Sequence, residues 1–207
     1  MSLAPARLED DAHTRLSVYA KSAIAALVGI AMGLAGTYFT TDSGFPFGSA
    51  SSGPWTTWPK TGSTDSDPYA QAIIARKAEV PLGNGEGLSF FAATDDAGRP
   101  LDGSCDYEID VRTPVARFWT MTVFTQGGRI ADTGSGRRYV TSSAVLRSAD
   151  GSLRIVAAPT ARAGNWLAGP KGAPFVLGLN LYDSTASPTQ AALEGLALPS
   201  IRRGECL

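Results

Sequence analysis

Apolar and polar positions divide the chain into stretches of different period. Positions 22–41 carry no charged side chain and present no polar face. Roughly 20 such residues at a helical rise of about 1.5 Å span a bilayer's ~30 Å hydrocarbon core. A transmembrane helix is predicted there, with Tyr38 and Phe39 at an interfacial position. Positions 42–66 are rich in Gly, Ser, Thr and Pro and hold no sustained period, the pattern of an extended linker. Asp67-Pro68 then supplies an N-cap and a first-turn proline. Tyr69, Ala72, Ile73 and Arg76 follow at near-helical spacing, and Pro81 stops the element. This helix should pack on one face or end of a sheet through Tyr69 and Ile73.

Beyond it the period drops to two. The strongest strand signal is 117–124, aromatic and β-branched, with no Gly or Pro. Trp119, Met121 and Val123 share one face with Arg117, and Phe118, Thr120, Thr122 and Phe124 share the other. Large apolar groups on both faces predict a central strand covered on both sides. Further strands are expected at 88–94, 104–111, 138–141, 144–147, 153–157 and 175–182, with an edge strand near 196–201. The segment 161–172 is expected as a long loop. In 104–111, Cys105, Tyr107, Ile109 and Val111 face inward; Asp106, Glu108 and Asp110 face outward, where a solvated, edge-protecting face is expected over the alternative of a cation site.

Many short strands and few helices predict a mainly β fold: an antiparallel, jelly-roll-like β-sandwich with a short N-terminal helix, preceded by one transmembrane helix. The absence of βαβ alternation excludes a doubly wound nucleotide-binding fold. The organisation expected is a cytoplasmic tail at 1–21, the membrane helix at 22–41, the linker at 42–66 and an exported domain at 67–207. Trp55 and Trp58 are unusual in a linker and are expected to pack on the domain.

Charge sets the orientation. Arg7, Arg15 and Lys21 precede the apolar segment, and the next basic residue is Lys60. The positive-inside rule puts the N-terminus in the cytoplasm and the domain outside. A cleaved signal peptide is the competing reading, with Gly33 and Ala35 as small residues before a cut; the long, acid-containing n-region favours a retained anchor. Gly29 and Gly33 form a small-xxx-small pair that would let two helices approach as a weak homodimer, a spacing that Ala/Gly-rich anchors also contain by chance. Lys and Arg total 18 against 19 Asp and Glu, without a basic block, which excludes a nucleic-acid surface.

The chemistry is narrowed mainly by what is missing. The single histidine, His13, precedes the apolar segment, so the domain has no Ser-His-Asp, Cys-His or His-rich metal site. No zinc or calcium ligand run is present, and no cofactor is expected. Asp102, Asp132 and Asp183 are the carboxylates available to an envelope enzyme acting on a carbohydrate or lipid headgroup. The candidate binding residues are Arg117, Asp132, Arg137, Arg138, Asn165, Trp166 and Lys171. Arg117 points into the sandwich or to its mouth, either in an ion pair with Asp132 or in an anion pocket. Trp166 either stacks on a sugar ring or plugs the end of the fold. Cys105 and Cys206 both lie on the exported side and are expected to form a disulfide closing a loop of ~100 residues.

Several short runs carry a family resemblance: Pro81-Leu82-Gly83, Glu86-Gly87, Gly98-Arg99-Pro100-Leu101-Asp102-Gly103, Arg117-Phe118-Trp119-Thr120, Asp150-Gly151-Ser152, Asn165-Trp166-Leu167 and Leu179-Asn180-Leu181-Tyr182. In these the chain from about Asp67 resembles the bacterial domain of unknown function 1214. The resemblance implies a jelly-roll-like sandwich and no reaction. The membrane segment marks the short, anchored subtype without the usual N-terminal partner domain. The expected protein is a membrane-anchored periplasmic binding or structural module of the bacterial inner membrane, taking an unknown small ligand or envelope partner.

Overall fold

In a computed structural model, residues 6–42, 48–77, 81–83, 85–113, 116–184 and 196–206 are described. The chain forms two compact units, 1–45 and 46–207.

The first unit is one helix, α1 (Ala6–Asp42). It starts well before the expected boundary at 22. No Gly or Pro occurs between Ala6 and Gly29, and Ala, Leu, Arg and Glu are good helix formers, so the charged segment continues the same helix. Ser17–Phe39 is long and apolar enough to cross a membrane by length and composition. At about 1.5 Å per residue it measures ~35 Å. Its apolar side chains face outward, Leu27 and Leu34 among them.

The second unit is two sheets around one core. The larger sheet has six strands in the order β1-β2-β3-β9-β5-β6. These are β1 (Ala50–Ser52), β2 (Trp55–Thr57), β3 (Gly87–Ala92), β5 (Ala116–Thr125), β6 (Tyr139–Thr141) and β9 (Phe175–Ser184). The smaller sheet has four, β10-β4-β7-β8: β4 (Cys105–Asp110), β7 (Arg154–Ala158), β8 (Asn165–Ala168) and β10 (Ser200–Cys206). Every pairing is antiparallel except β7 with β8. The two sheets stay open at their edges, so the fold is a six-plus-four layered arrangement, and the finer expectation of a jelly roll does not follow from this topology.

Period two decides what is buried. Phe90, Trp119, Met121, Val123, Leu177, Leu179 and Leu181 of the larger sheet meet Tyr107, Ile109, Ile155, Leu167 and Ile201 of the smaller in one cluster. Tyr107 packs edge-on against Phe175, with ring centroids 5.7 Å apart. The outer face of the larger sheet has a second, smaller cluster. There α2 (Pro68–Lys77) sets Ala70 and Ile73 with Trp58 against Phe91, and Ile74, Phe124 and Val176 pack on them. Asp67 caps this helix, its Oδ1 accepting from the Tyr69 and Ala70 amides. Ile73 is buried as expected, whereas Tyr69 is exposed, because Ala70 and not Tyr69 falls on the sheet-facing side.

Five further expectations are corrected. Residues 50–57 are not linker: β1 and β2 form a hairpin on the edge of the larger sheet, and Trp55 is buried in the main core with its Nε1 donating to Pro199 O at 2.6 Å. Strand β5 is covered fully on one face only; of its outer face, Phe124 alone reaches the helix cluster. Segment 144–147 is irregular, and β8 lies within the expected long loop 161–172. Both follow from Asn165, whose amide exchanges two hydrogen bonds with the Leu146 backbone at 2.7 Å each. Strand β4 is internal, between β10 and β7, so its outward acids guard no edge. They pair with arginines instead: Asp106 with Arg162, Glu108 with Arg154, and Asp110 with Arg154 and Arg202.

Two devices hold β10. Cys206 stands opposite Cys105 in register, and their sulfurs are paired as a disulfide, 101 residues apart in sequence. Asp95, buried in the turn after β3, accepts from the Ala97 and Arg99 amides and from Arg99 Nε at 2.9–3.0 Å, with Arg203 Nε of β10 at 3.7 Å. Arg203 also lies over the Tyr107 ring, 5.6 Å from its centroid.

Candidate anion-binding cleft

Where β4 ends and β5 begins, the two sheets part. Val111, Arg112 and Thr113 leave the smaller sheet; Ala116, Arg117, Phe118 and Trp119 start the larger one. Ser142, Ser143 and Arg147, from the segment after β6, close the third side. The space between is an open cleft of about 660 Å³.

Its chemistry is one-sided. Three arginines and three hydroxyl residues line it, and among the described residues no carboxylate does. Among the described residues Arg117 makes one ion pair, Nη1 to Asp183 Oδ2 at 3.8 Å, with both side chains mostly in solvent. Neither Arg112 nor Arg147 has an ion-pair partner among the described residues. Guanidinium groups suit carboxylate or phosphate recognition, because their N–H donors form a fork matching two oxygens.

The walls are held by backbone bonds. Ser142 N donates to Trp119 O at 2.9 Å, and Trp119 N donates to Ser142 Oγ at 3.2 Å. Asn165 fixes the segment carrying Arg147 through Leu146 and also donates from Nδ2 to Arg154 O at 2.9 Å. Asn165 is therefore a positioning residue for the cleft.

The sequence-derived candidates divide between two places. Arg117 lines the cleft and Asn165 supports it. Asp132, Arg137 and Arg138 lie toward the other end of β5, since Ala131 N donates to Val123 O and Val123 N to Arg138 O. Seven residues at about 3.3 Å separate Val123 from Ala116, or ~23 Å. An Arg117–Asp132 ion pair is thus ruled out by strand length. Asp132 instead accepts from Gly134 N in its own turn. Lys171 is exposed in the β8–β9 connection. Trp166 is half-buried with its Nε1 donating to Ala158 O at 3.1 Å, so it neither plugs an end nor lines the cleft.

The same distance separates Asp132 from Asp183, which lies beside Arg117. That exceeds the ~5–9.5 Å that glycosidase carboxylates require. Asp102 accepts from the Ser104 amide at 2.8 Å; hydrogen bonds from Ser104 hold its carboxyl below the ordinary range despite some burial. That is the state of a turn-forming carboxylate and unlike a raised-pKa acid. Arg112, Arg147, Ser142 and Ser143 were not singled out from sequence. The signal available was Arg112 and Arg117 flanking Pro114 at a strand boundary.

Residues 86–186 match the family described as Protein of unknown function (DUF1214). This part of the chain belongs to the DUF1214 family. The cleft lies inside the DUF1214 segment; the β1–β2 hairpin and β10 lie outside it. The crystal structure of the VPA0106 protein from Vibrio parahaemolyticus is similar in fold, with a TM-score of 0.56 at 19% identity over 99% of this chain. The chain spans about half of that protein, 47% of its length. A putative uncharacterized protein from Burkholderia cenocepacia aligns with 57% of this chain and 29% of its own, at 17% identity and a TM-score of 0.44. No curated protein matches the chain.

Proposed function

We propose that this protein is a non-enzymatic, membrane-tethered binding module whose cleft captures a small anion bearing carboxylate or phosphate groups. One observation carries the reading: three arginines line one cleft, and among the described residues no carboxylate lines it. An anion entering the cleft would gain charge-assisted hydrogen bonds from these arginines, with only the solvent-exposed Asp183 competing for Arg117 among the described residues. The apolar α1 segment supports a retained anchor, and the basic residues before it support an N-terminus in the cytoplasm with the DUF1214 domain in the periplasm. Within that anchor, Gly29 and Gly33 offer the close approach for a weak homodimer.

The test is calorimetric titration of the full-length protein in detergent with inorganic phosphate and citrate. Binding should weaken as salt rises. Arg147→Ala should reduce affinity by about tenfold, about 1.4 kcal/mol. Arg129→Ala, an exposed arginine outside the cleft, should leave it unchanged. Equal weakening by both variants would sink the reading, because the attraction would then be general charge.

A further inference from the structure

The outer face of the larger sheet continues the cleft. Strand register aligns Ser89, Asn180, Thr120 and Thr141 in one row across β3, β9, β5 and β6. At the covered end of the row, buried Ser89 donates to Asn180 Oδ1 at 2.6 Å and accepts from Leu82 N. At the other end, the Thr141 and Ser143 hydroxyls lie 3.2 Å apart, and Ser143 lines the cleft. Between them, among the described residues, neither the Thr120 hydroxyl nor the Asn180 amide nitrogen has a hydrogen-bond partner. All three of Asn180, Thr120 and Thr141 are half-buried, and strand parity places them on the outer face, opposite the buried Leu179, Met121 and Leu181.

An aromatic rail runs beside this row. Phe118 pairs with Tyr182 in register, ring centroids 5.7 Å apart, and Phe118 also lines the cleft. The open part of the row crosses two strand spacings of about 4.8 Å, or ~10 Å. A lone phosphate or carboxylate fills only the arginine end. A molecule that uses the whole track needs anionic groups, hydroxyls that hydrogen-bond in either sense, and apolar ring faces for the aromatic rail. A chain of acidic sugars has all three.

Resting on the anion-binding reading above, we infer that the ligand is an acidic oligosaccharide, its charged groups held by Arg112, Arg117 and Arg147 and its rings extending along Thr120, Asn180 and Thr141. Charge complementarity selects it over a neutral glycan, and the unpartnered polar row selects it over a single small anion.

The experiment titrates the full-length protein in detergent with oligogalacturonates from monomer to hexamer, and with cellohexaose as the neutral control. Affinity should rise about tenfold or more from monomer to hexamer, with no measurable binding of cellohexaose. Thr120→Val, which keeps the shape and removes the hydroxyl, should shrink the hexamer-to-monomer ratio severalfold. Phe118→Leu, which keeps apolar bulk and removes the flat ring, should also shrink it. Length-independent binding, an unchanged ratio in Thr120→Val, or equal binding of cellohexaose would overturn the inference. If phosphate binds but no galacturonate does, this inference alone fails; if phosphate does not bind either, the anion-binding reading fails with it.

Discussion

Arg117 and Asp183 meet at 3.8 Å across the start of β5 and the end of β9, with side chains 83% and 74% exposed. Water screens such a pair strongly, so it contributes about 0–1 kcal/mol. Asp183 thus competes only weakly for the guanidinium that an incoming anion would use. It also takes a positive φ of 49°, a conformation that Asn tolerates as well as Asp. Asp183→Asn should keep the fold and tighten phosphate binding up to about fivefold. Titration of the variant beside the wild type checks this; weaker binding would mean that Asp183 orients Arg117 and does not compete for it.

The pairing of Cys105 with Cys206 closes a loop of 101 residues. In the chain-entropy model a ~100-residue loop lowers the unfolded state's entropy by an amount worth up to ~4.7 kcal/mol. Cys206→Ser, or reduction of the wild type, should therefore lower unfolding free energy by about 2–4.7 kcal/mol. Urea denaturation with and without reductant measures it, and an unchanged midpoint would refute the cross-link as a stabiliser.

Acid should loosen the same region. Burial pushes the Asp95 carboxyl up, but hydrogen bonds from the Arg99 amide and side chain, the Arg99 charge and the Ala97 amide together hold it below its ordinary value of 3.8. A depressed folded-state pKa means the unfolded chain binds the proton more readily. Its stabilising contribution is complete above the ordinary aspartate value and is lost as pH falls through the lower folded value. Asp95→Asn should cost about 1–3 kcal/mol at neutral pH and flatten the acid limb of a stability–pH curve. Parallel acid limbs for variant and wild type would assign the pH dependence to other carboxylates.

Glycines 87 and 103 have a packing cause. A Cβ on Gly103 would sit 1.6 Å from Pro170 O, and one on Gly87 2.0 Å from Leu181 O. Both neighbours are backbone and cannot swing aside. Gly103→Ala should cost at least about 1–3 kcal/mol through backbone displacement. Thermal melts settle it, and an unaltered Tm would show that the β8–β9 connection yields freely.

Much of this architecture was legible because period and burial agree. The alternation in 104–111 assigns the inner face of β4 correctly, the strand expected at 175–182 is β9, and Asp67-Pro68 starts α2. Of the strands of three or four residues β6 was anticipated, but β1, β2 and β8 escaped: they are too short for a period to register, and side-chain bonds from Trp55 and Asn165 hold their surroundings. The cleft was only partly legible. Arg117 stands on a strong strand, but Arg112 and Arg147 come from irregular segments that meet through tertiary contacts. Parity placed Arg117 with the core-facing residues; its position at the strand's end lets it reach solvent.

The Trp55 indole joins the carbonyl of Pro199 across 144 positions, and β4 waits for β10 to pair with it. During synthesis the chain is made from the N-terminus, so Trp55 and β4 emerge long before the segments that cover them. Loop closure over such separations is slow, and exposed strand edges are prone to stray pairing. The growing chain must therefore keep its core open until β10 has appeared. Any cellular machinery that holds nascent chains unfolded has the 144 positions between Trp55 and Pro199 in which to act on this one.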